Sequence, residues 1–138
     1  MLVAAISFLV FSYLTGSLAI VSDCSKPSAL FKLTSMSFLP DPPVKGQNSS
    51  LILSMSVPSS VSGGSAIYTV TYNSIPLTPT TDNLCSVAPA GCPIMPGTLD
   101  TVSSIPFDGS LSGSLNFKIE WKDLDAGQLM CVLIKTKL

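Results

Sequence analysis

The chain has 138 residues, 7 lysines, 8 acidic residues and no histidine, for a net charge of −1. That length fits one domain. Without histidine there can be no Ser-His-Asp triad, no Cys-His pair and no histidine metal site. The seven basic residues are all lysines, none adjacent to another, so the electrostatic footprint of a nucleic-acid binder is missing. Carboxylate-pair hydrolysis needs two acids facing one substrate, yet the few acids here sit in turn-like contexts such as Pro40-Asp41-Pro42 and Phe107-Asp108-Gly109. The composition therefore points away from an enzyme, and it implies no cofactor.

The first segment, Met1 to Val21, carries no charged side chain. Leu2–Leu14 is apolar, and Thr15-Gly16-Ser17-Leu18-Ala19 supplies small residues behind it. This is the layout of a secretory signal peptide over residues 1–22, with cleavage between Ala19 and Ser22. An uncleaved anchor is the competing reading, and the Ser, Thr and Gly in the second half argue against it. Residues 23–138 remain as one domain.

Beyond the leader the signal has period two. Leu30 to Phe38 reads as a first strand with an irregularity near Thr34-Ser35. Leu51-Ile52-Leu53-Ser54-Met55-Ser56-Val57 places Leu51, Leu53, Met55 and Val57 on one face. Ile67 to Tyr72 places Tyr68, Val70 and Tyr72 on one face and threonines on the other. Leu115 to Lys122 is the clearest case: Leu115, Phe117, Ile119 and Trp121 point one way, Asn116, Lys118, Glu120 and Lys122 the other. Leu129 to Ile134 is a continuous apolar run and reads as a more fully buried strand. Prolines and glycines fall between these runs at Pro40–Pro43, Pro58–Gly64, Pro76–Asn83, Pro93–Gly97, Asp108-Gly109 and Asp125–Gly127. Short half-buried strands at such spacing predict an all-β, antiparallel two-sheet sandwich.

Four cysteines, Cys24, Cys85, Cys92 and Cys131, follow the leader. An even count in a secreted chain reads as disulfides. Zinc is disfavoured because there is no C-x-x-C pair and no histidine. Three pairings are open. End-to-end closure and short separation favour Cys24–Cys131 with Cys85–Cys92.

Several fragments now form an ordered set: Asp23-Cys24-Ser25, Lys45-Gly46-Gln47, Ile75-Pro76-Leu77-Thr78-Pro79, Cys92-Pro93-Ile94, Ile119-Glu120-Trp121, Asp123 and Cys131. In this order the chain resembles the ML (MD-2-related lipid-recognition) family over Asp23 to Leu138. The likeness is to the branches holding the soluble Niemann-Pick type C sterol carrier and the fungal-type phosphatidylglycerol/phosphatidylinositol transfer proteins. The resemblance implies an immunoglobulin-like sandwich with a lipid cavity between its sheets, and the same two disulfides. The mammalian sterol carrier has a further disulfide near the first turn, where this chain has Pro40 to Val44 and no cysteine.

A carrier of this kind needs an apolar pocket with a few polar groups at its mouth. The in-facing candidates for lipid contact are Leu53, Met55, Tyr68, Val70, Tyr72, Leu77, Phe107, Leu111, Phe117, Ile119, Trp121 and Leu133. In a sandwich such residues also serve as plain core, and Trp121 is the foremost case of that. For membrane contact the candidates are the loop Ile94-Met95-Pro96 with Lys26, Lys45 and Lys118. Asn48-Ser49-Ser50 is a glycosylation sequon, so Asn48 is a candidate modification site. The function implied is a secreted or endolysosomal/vacuolar lipid-binding and transfer protein. It would carry a sterol or phospholipid, touch membranes transiently, and deliver to a membrane receptor or acceptor protein. The alternative is an immunoglobulin-like adhesion or recognition module with a filled interior.

Overall fold

Alternating apolar and hydroxyl-bearing residues build nearly all of the regular structure as strands. The computed structural model describes residues 18–138; the apolar part of the expected leader lies outside the described residues. The elements are β1 (Ile20–Asp23), β2 (Lys32–Leu39), β3 (Asn48–Val57), β4 (Gly64–Tyr72), β5 (Ile75–Pro76), β6 (Thr80–Asn83), α1 (Leu84–Val87), β7 (Gly97–Pro106), β8 (Ser114–Asp123) and β9 (Gln128–Lys137).

Two antiparallel sheets face each other. One has the order β1-β9-β8-β4-β5, with β6 also paired to β4; the other has the order β2-β3-β7. The inward residues follow the pleat. β3 buries Leu51, Leu53, Met55 and Val57; β8 buries Leu115, Ile119 and Trp121; β9 buries Met130, Val132 and Ile134. A register shift between Leu33 and Ser35 marks the irregularity that the sequence suggests in β2. Disulfides join Cys24 to Cys131 and Cys85 to Cys92, the favoured pairing.

Three features differ from the sequence pattern. β7 had no clear signal, because its inward positions are Leu99, Thr101, Ser103 and Ile105, and the two hydroxyls dilute the alternation. β1 begins at Ile20, inside the stretch given to the leader, and pairs with β9 from Ile20–Lys135 to Asp23–Val132. Leu133 is not in-facing. It stands opposite Lys118 and Ser22 on the outer face, while Val132 and Ile134 point into the sandwich. A continuous apolar run hides which of its residues face in, so the phase of β9 had to come from its partner β8.

Candidate functional site

The sandwich is largely packed at one end, where a smaller cavity of about 190 Å³ remains beside Ile94, Met95, Pro96 and Leu99, and is hollow at the other. At the filled end, Ala66 and Trp121 are opposite each other on β4 and β8, and both are buried. Met55, Val57, Val61, Leu84, Ile94 and Met130 complete the packing there. Moving along the same inner face, the β4–β8 pairs become Tyr68–Ile119, Val70–Phe117 and Tyr72–Leu115. Tyr68, Val70, Tyr72 and Phe117 are only half-buried. They lack facing partners because the opposite sheet has just three strands and ends at β7.

The space left is an apolar cavity of about 250 Å³. Its walls are Val70 and Tyr72 from β4, Leu115 and Phe117 from β8, and Ile105 and Pro106 from β7, closed by Leu77 and Leu111 from loops. No charged side chain lines it. It opens where β7 faces β4 and β5. A mixed depression of about 460 Å³ adjoins it, lined by Gly46, Asn48, Pro106, Phe107, Asp108, Gly109 and Leu111. Pro106 and Leu111 belong to both, so an apolar pocket runs out into a polar one.

Local sequence fixes this mouth. Asn73 and Ser74 have φ of 49° and 67°, the left-handed pair of a two-residue type I′ hairpin between β4 and β5. The hairpin is tied to the loop between β7 and β8. Tyr72 Oη donates to Ser112 O at 2.8 Å and accepts from Ser112 N at 3.1 Å. Asn73 Nδ2 donates to Ser112 O at 3.2 Å, and Asn73 Oδ1 accepts from Ser114 N at 2.9 Å. Gly113, at φ +100°, leaves room for this contact, since a Cβ there would lie 2.0 Å from Asn73 Oδ1. Within the loop, Asp108 Oδ1 accepts from the backbone N–H and the hydroxyl of Ser110. Those bonds hold the Asp108 carboxyl below its ordinary pKa. On the inner face, burial raises the Tyr68 phenol, with Asp82 adding to the effect.

Of the twelve candidates for lipid contact, the cavity gathers Val70, Tyr72, Leu77, Leu111 and Phe117. Tyr68 stands next to them, its ring 6.3 Å from that of Phe117. Leu53, Met55, Ile119 and Trp121 are packed core. Phe107 is buried edge-on against Phe38 and lines the polar depression instead. Leu133 lies on the outer face. Ile105, Pro106 and Leu115 are cavity residues the sequence did not single out. Leu115 had the right alternation, whereas Ile105 and Pro106 sat on the unrecognised strand. The loop Ile94-Met95-Pro96 lies at the filled end, where Ile94 is buried and pairs with Val61, and Met95 is exposed. Asn48 is exposed on the outer face of the three-stranded sheet, its Nδ2 3.0 Å from Ser104 Oγ.

Comparison with known proteins agrees with this geometry. Residues 19–138 match the ML domain family model, and the chain belongs to that family. It is 27% identical over 120 residues to putative phosphatidylglycerol/phosphatidylinositol transfer protein 1 of Dictyostelium discoideum, covering 85% of this chain and 79% of that protein. It is 33% identical over 82 residues to putative phosphatidylglycerol/phosphatidylinositol transfer protein 3 of the same organism, covering 59% of this chain and 54% of the other. The fold is that of a Niemann-Pick type C2 protein from the Japanese carpenter ant. The TM-score is 0.68 at 14% identity, over 86% of this chain and 98% of that one. Chicken MD-1, solved with lipid IVa, superposes with a TM-score of 0.58 at 13% identity, over 86% and 96%.

Proposed function

We propose that this ML-domain protein carries one phospholipid at a time, with acyl chain in the cavity and headgroup over the depression beside Asp108 and Gly109. One observation carries the proposal: the apolar cavity is continuous, through Pro106 and Leu111, with a pocket offering a carboxylate and backbone polar groups. An acyl chain gains mainly from leaving water, at roughly 25 cal/mol per Å² of apolar surface. An uncharged apolar wall is what that gain needs. A sterol offers one hydroxyl and would use the depression less fully. The similarity to phosphatidylglycerol/phosphatidylinositol transfer proteins supports the phospholipid reading.

At about 250 Å³ the cavity is smaller than the 300–1,000 Å³ usual for small-molecule sites. Loading therefore calls for β7 to separate from β4 and β5 at the mouth. No strand pairing spans that gap, so no backbone hydrogen bond between strands resists the movement. A filled adhesion-type sandwich is disfavoured by the half-buried Val70, Tyr72 and Phe117, which such a module would pack.

We further propose secretion through the leader, with cleavage after Ala19 so that β1 is retained whole, and a glycan on Asn48. Two disulfides support an extracellular or endolysosomal/vacuolar lumen. Native mass spectrometry with lipid extraction, on protein secreted from a eukaryotic host, tests all three. The expected result is a stoichiometric phospholipid adduct on a chain that begins at Ile20 and carries the mass of a glycan on Asn48. A sterol adduct would reassign the ligand, and a clean mass unchanged by vesicles of either lipid would favour the filled module.

A further inference from the structure

Charge and exposed apolar side chains are not spread evenly over this protein. Dividing the sandwich across the middle of its strands, the half at the cavity mouth holds Lys45, Lys118, Lys135 and Lys137 against Asp41 and Asp108. The other half holds three lysines against six acids, which together give the chain's −1. The mouth half is thus +2 and the filled half −3. Strands of ten residues at about 3.4 Å per residue put the two ends about 30 Å apart. That is several Debye lengths at physiological salt, so each end presents its own charge to a partner.

Three of these lysines form one patch. Lys118 stands opposite Leu133, Lys135 opposite Asn116 and Lys137 opposite Ser114, all on the outer face of the six-stranded sheet. β4 adds Thr69 and Thr71 to the same rows, and no acid occurs in them. The only ion pair among the described residues, Lys122 with Glu120 at 3.7 Å, lies in the other half. Beside the patch, the loops rimming the mouth expose Ile75 (63%), Leu77 (49%) and Val44 (43%).

We propose that the cavity-mouth end docks directly on anionic bilayers, with Lys118, Lys135 and Lys137 meeting lipid headgroups and Ile75 entering the interface. The inference rests on the carrier reading, because it supplies the step by which lipid reaches the cavity without crossing water. It also moves the docking site from the Ile94–Pro96 loop, which lies at the acidic end, to the end where lipid enters.

The test is co-sedimentation of the secreted protein with vesicles of phosphatidylcholine, with and without phosphatidylglycerol. Binding is expected only to the phosphatidylglycerol vesicles and should fall with salt. Each of Lys118→Gln, Lys135→Gln and Lys137→Gln is expected to weaken it about fivefold, and the triple variant about a hundredfold. Ile75→Ser should weaken binding with charge unchanged. A control triple at the other end, Lys26→Gln, Lys32→Gln and Lys122→Gln, should leave it unaltered. Equal binding to neutral vesicles, or equal losses in the two triples, would overturn the proposal. So would self-association of the free protein that the mouth triple abolishes, since the patch would then serve a second copy. Uptake of a soluble fluorescent fatty acid, measured in parallel, separates the two claims. A mouth triple that loses vesicles but keeps uptake supports docking, whereas absence of uptake in the unaltered protein would remove the carrier reading itself.

Discussion

The two ends of the sandwich are made from the same strands, yet one is a core and the other a cavity. β4 and β8 run through both. At the filled end their inward pair is Ala66 with Trp121, a small residue beneath a large ring. The short helix α1 and the Val61–Ile94 bridge press down on that side, and Leu84 and Ile94 are buried against it. At the mouth the inward pairs are Val70 with Phe117 and Tyr72 with Leu115, and nothing comparable covers them. The lesson is that inward direction is set by the pleat, while filling is set by whatever lies across from it.

Substitutions sharpen the contrast. The largest effect is expected from opening the chain-end disulfide: replacing Cys24 and Cys131 with Ser removes a 107-residue closure, worth about 4.7 kcal/mol in the loop-entropy model. The Cys85–Cys92 bridge spans 7 residues and should cost about 2–2.5 kcal/mol. Denaturant midpoints check this, and equal losses would refute the loop-length account. Next comes the packed end. Trp121→Ala, 2% exposed in the native protein, should cost about 3–5 kcal/mol. Val70→Ala on the cavity wall should cost about 1 kcal/mol, because part of that surface is already free of contacts. The same unfolding curves decide it, and a loss at Val70 equal to that at Trp121 would mean that the mouth end is core after all.

Smaller effects belong to the mouth loop. Tyr72→Phe removes both hydrogen bonds to Ser112 and should cost about 0.5–1.5 kcal/mol, while speeding lipid exchange between labelled and unlabelled vesicles. Unchanged exchange would show that this clamp does not gate the mouth. The smallest is a pH effect. The Asp108 carboxyl is lowered in the folded protein, so its contribution is present above the ordinary carboxylate pKa and fades as pH falls through its lowered value. The loop should therefore keep its form through the acidity of an endolysosomal lumen. Hydrogen exchange at the Ser110 amide is expected to accelerate only below that range, and in Asp108→Asn to be fast throughout.

Much of the fold was legible from residue order. Leu115, Phe117, Ile119 and Trp121 alternate with polar residues so regularly that β8 and its inner face follow directly. The cavity was legible only in part. Phe117 and Trp121 carry the same alternation signal, yet one lines the hollow and the other fills the core, because the difference lies in the facing sheet and not in β8. Leu77 and Phe107 were the candidates marked by nearness to the loops where the sheets open; Leu77 does line the cavity, whereas Phe107 packs on Phe38 and lines the neighbouring depression. Ile105 was not foreseeable, since Thr101 and Ser103 blur the strand that presents it. Leu133 was misplaced because Met130 to Ile134 offers no polar residue to mark the outer face.

The central claim is that lipid occupies the mouth end alone. A phosphatidylglycerol with a photoreactive diazirine at the acyl terminus, loaded into the protein and irradiated, tests it when the attached peptides are sequenced. The expected attachment is to Val70, Ile105, Leu115 and Phe117, with none on Met55, Trp121 or Met130. Label on those core residues, or on the Ile94–Pro96 loop, would contradict the account.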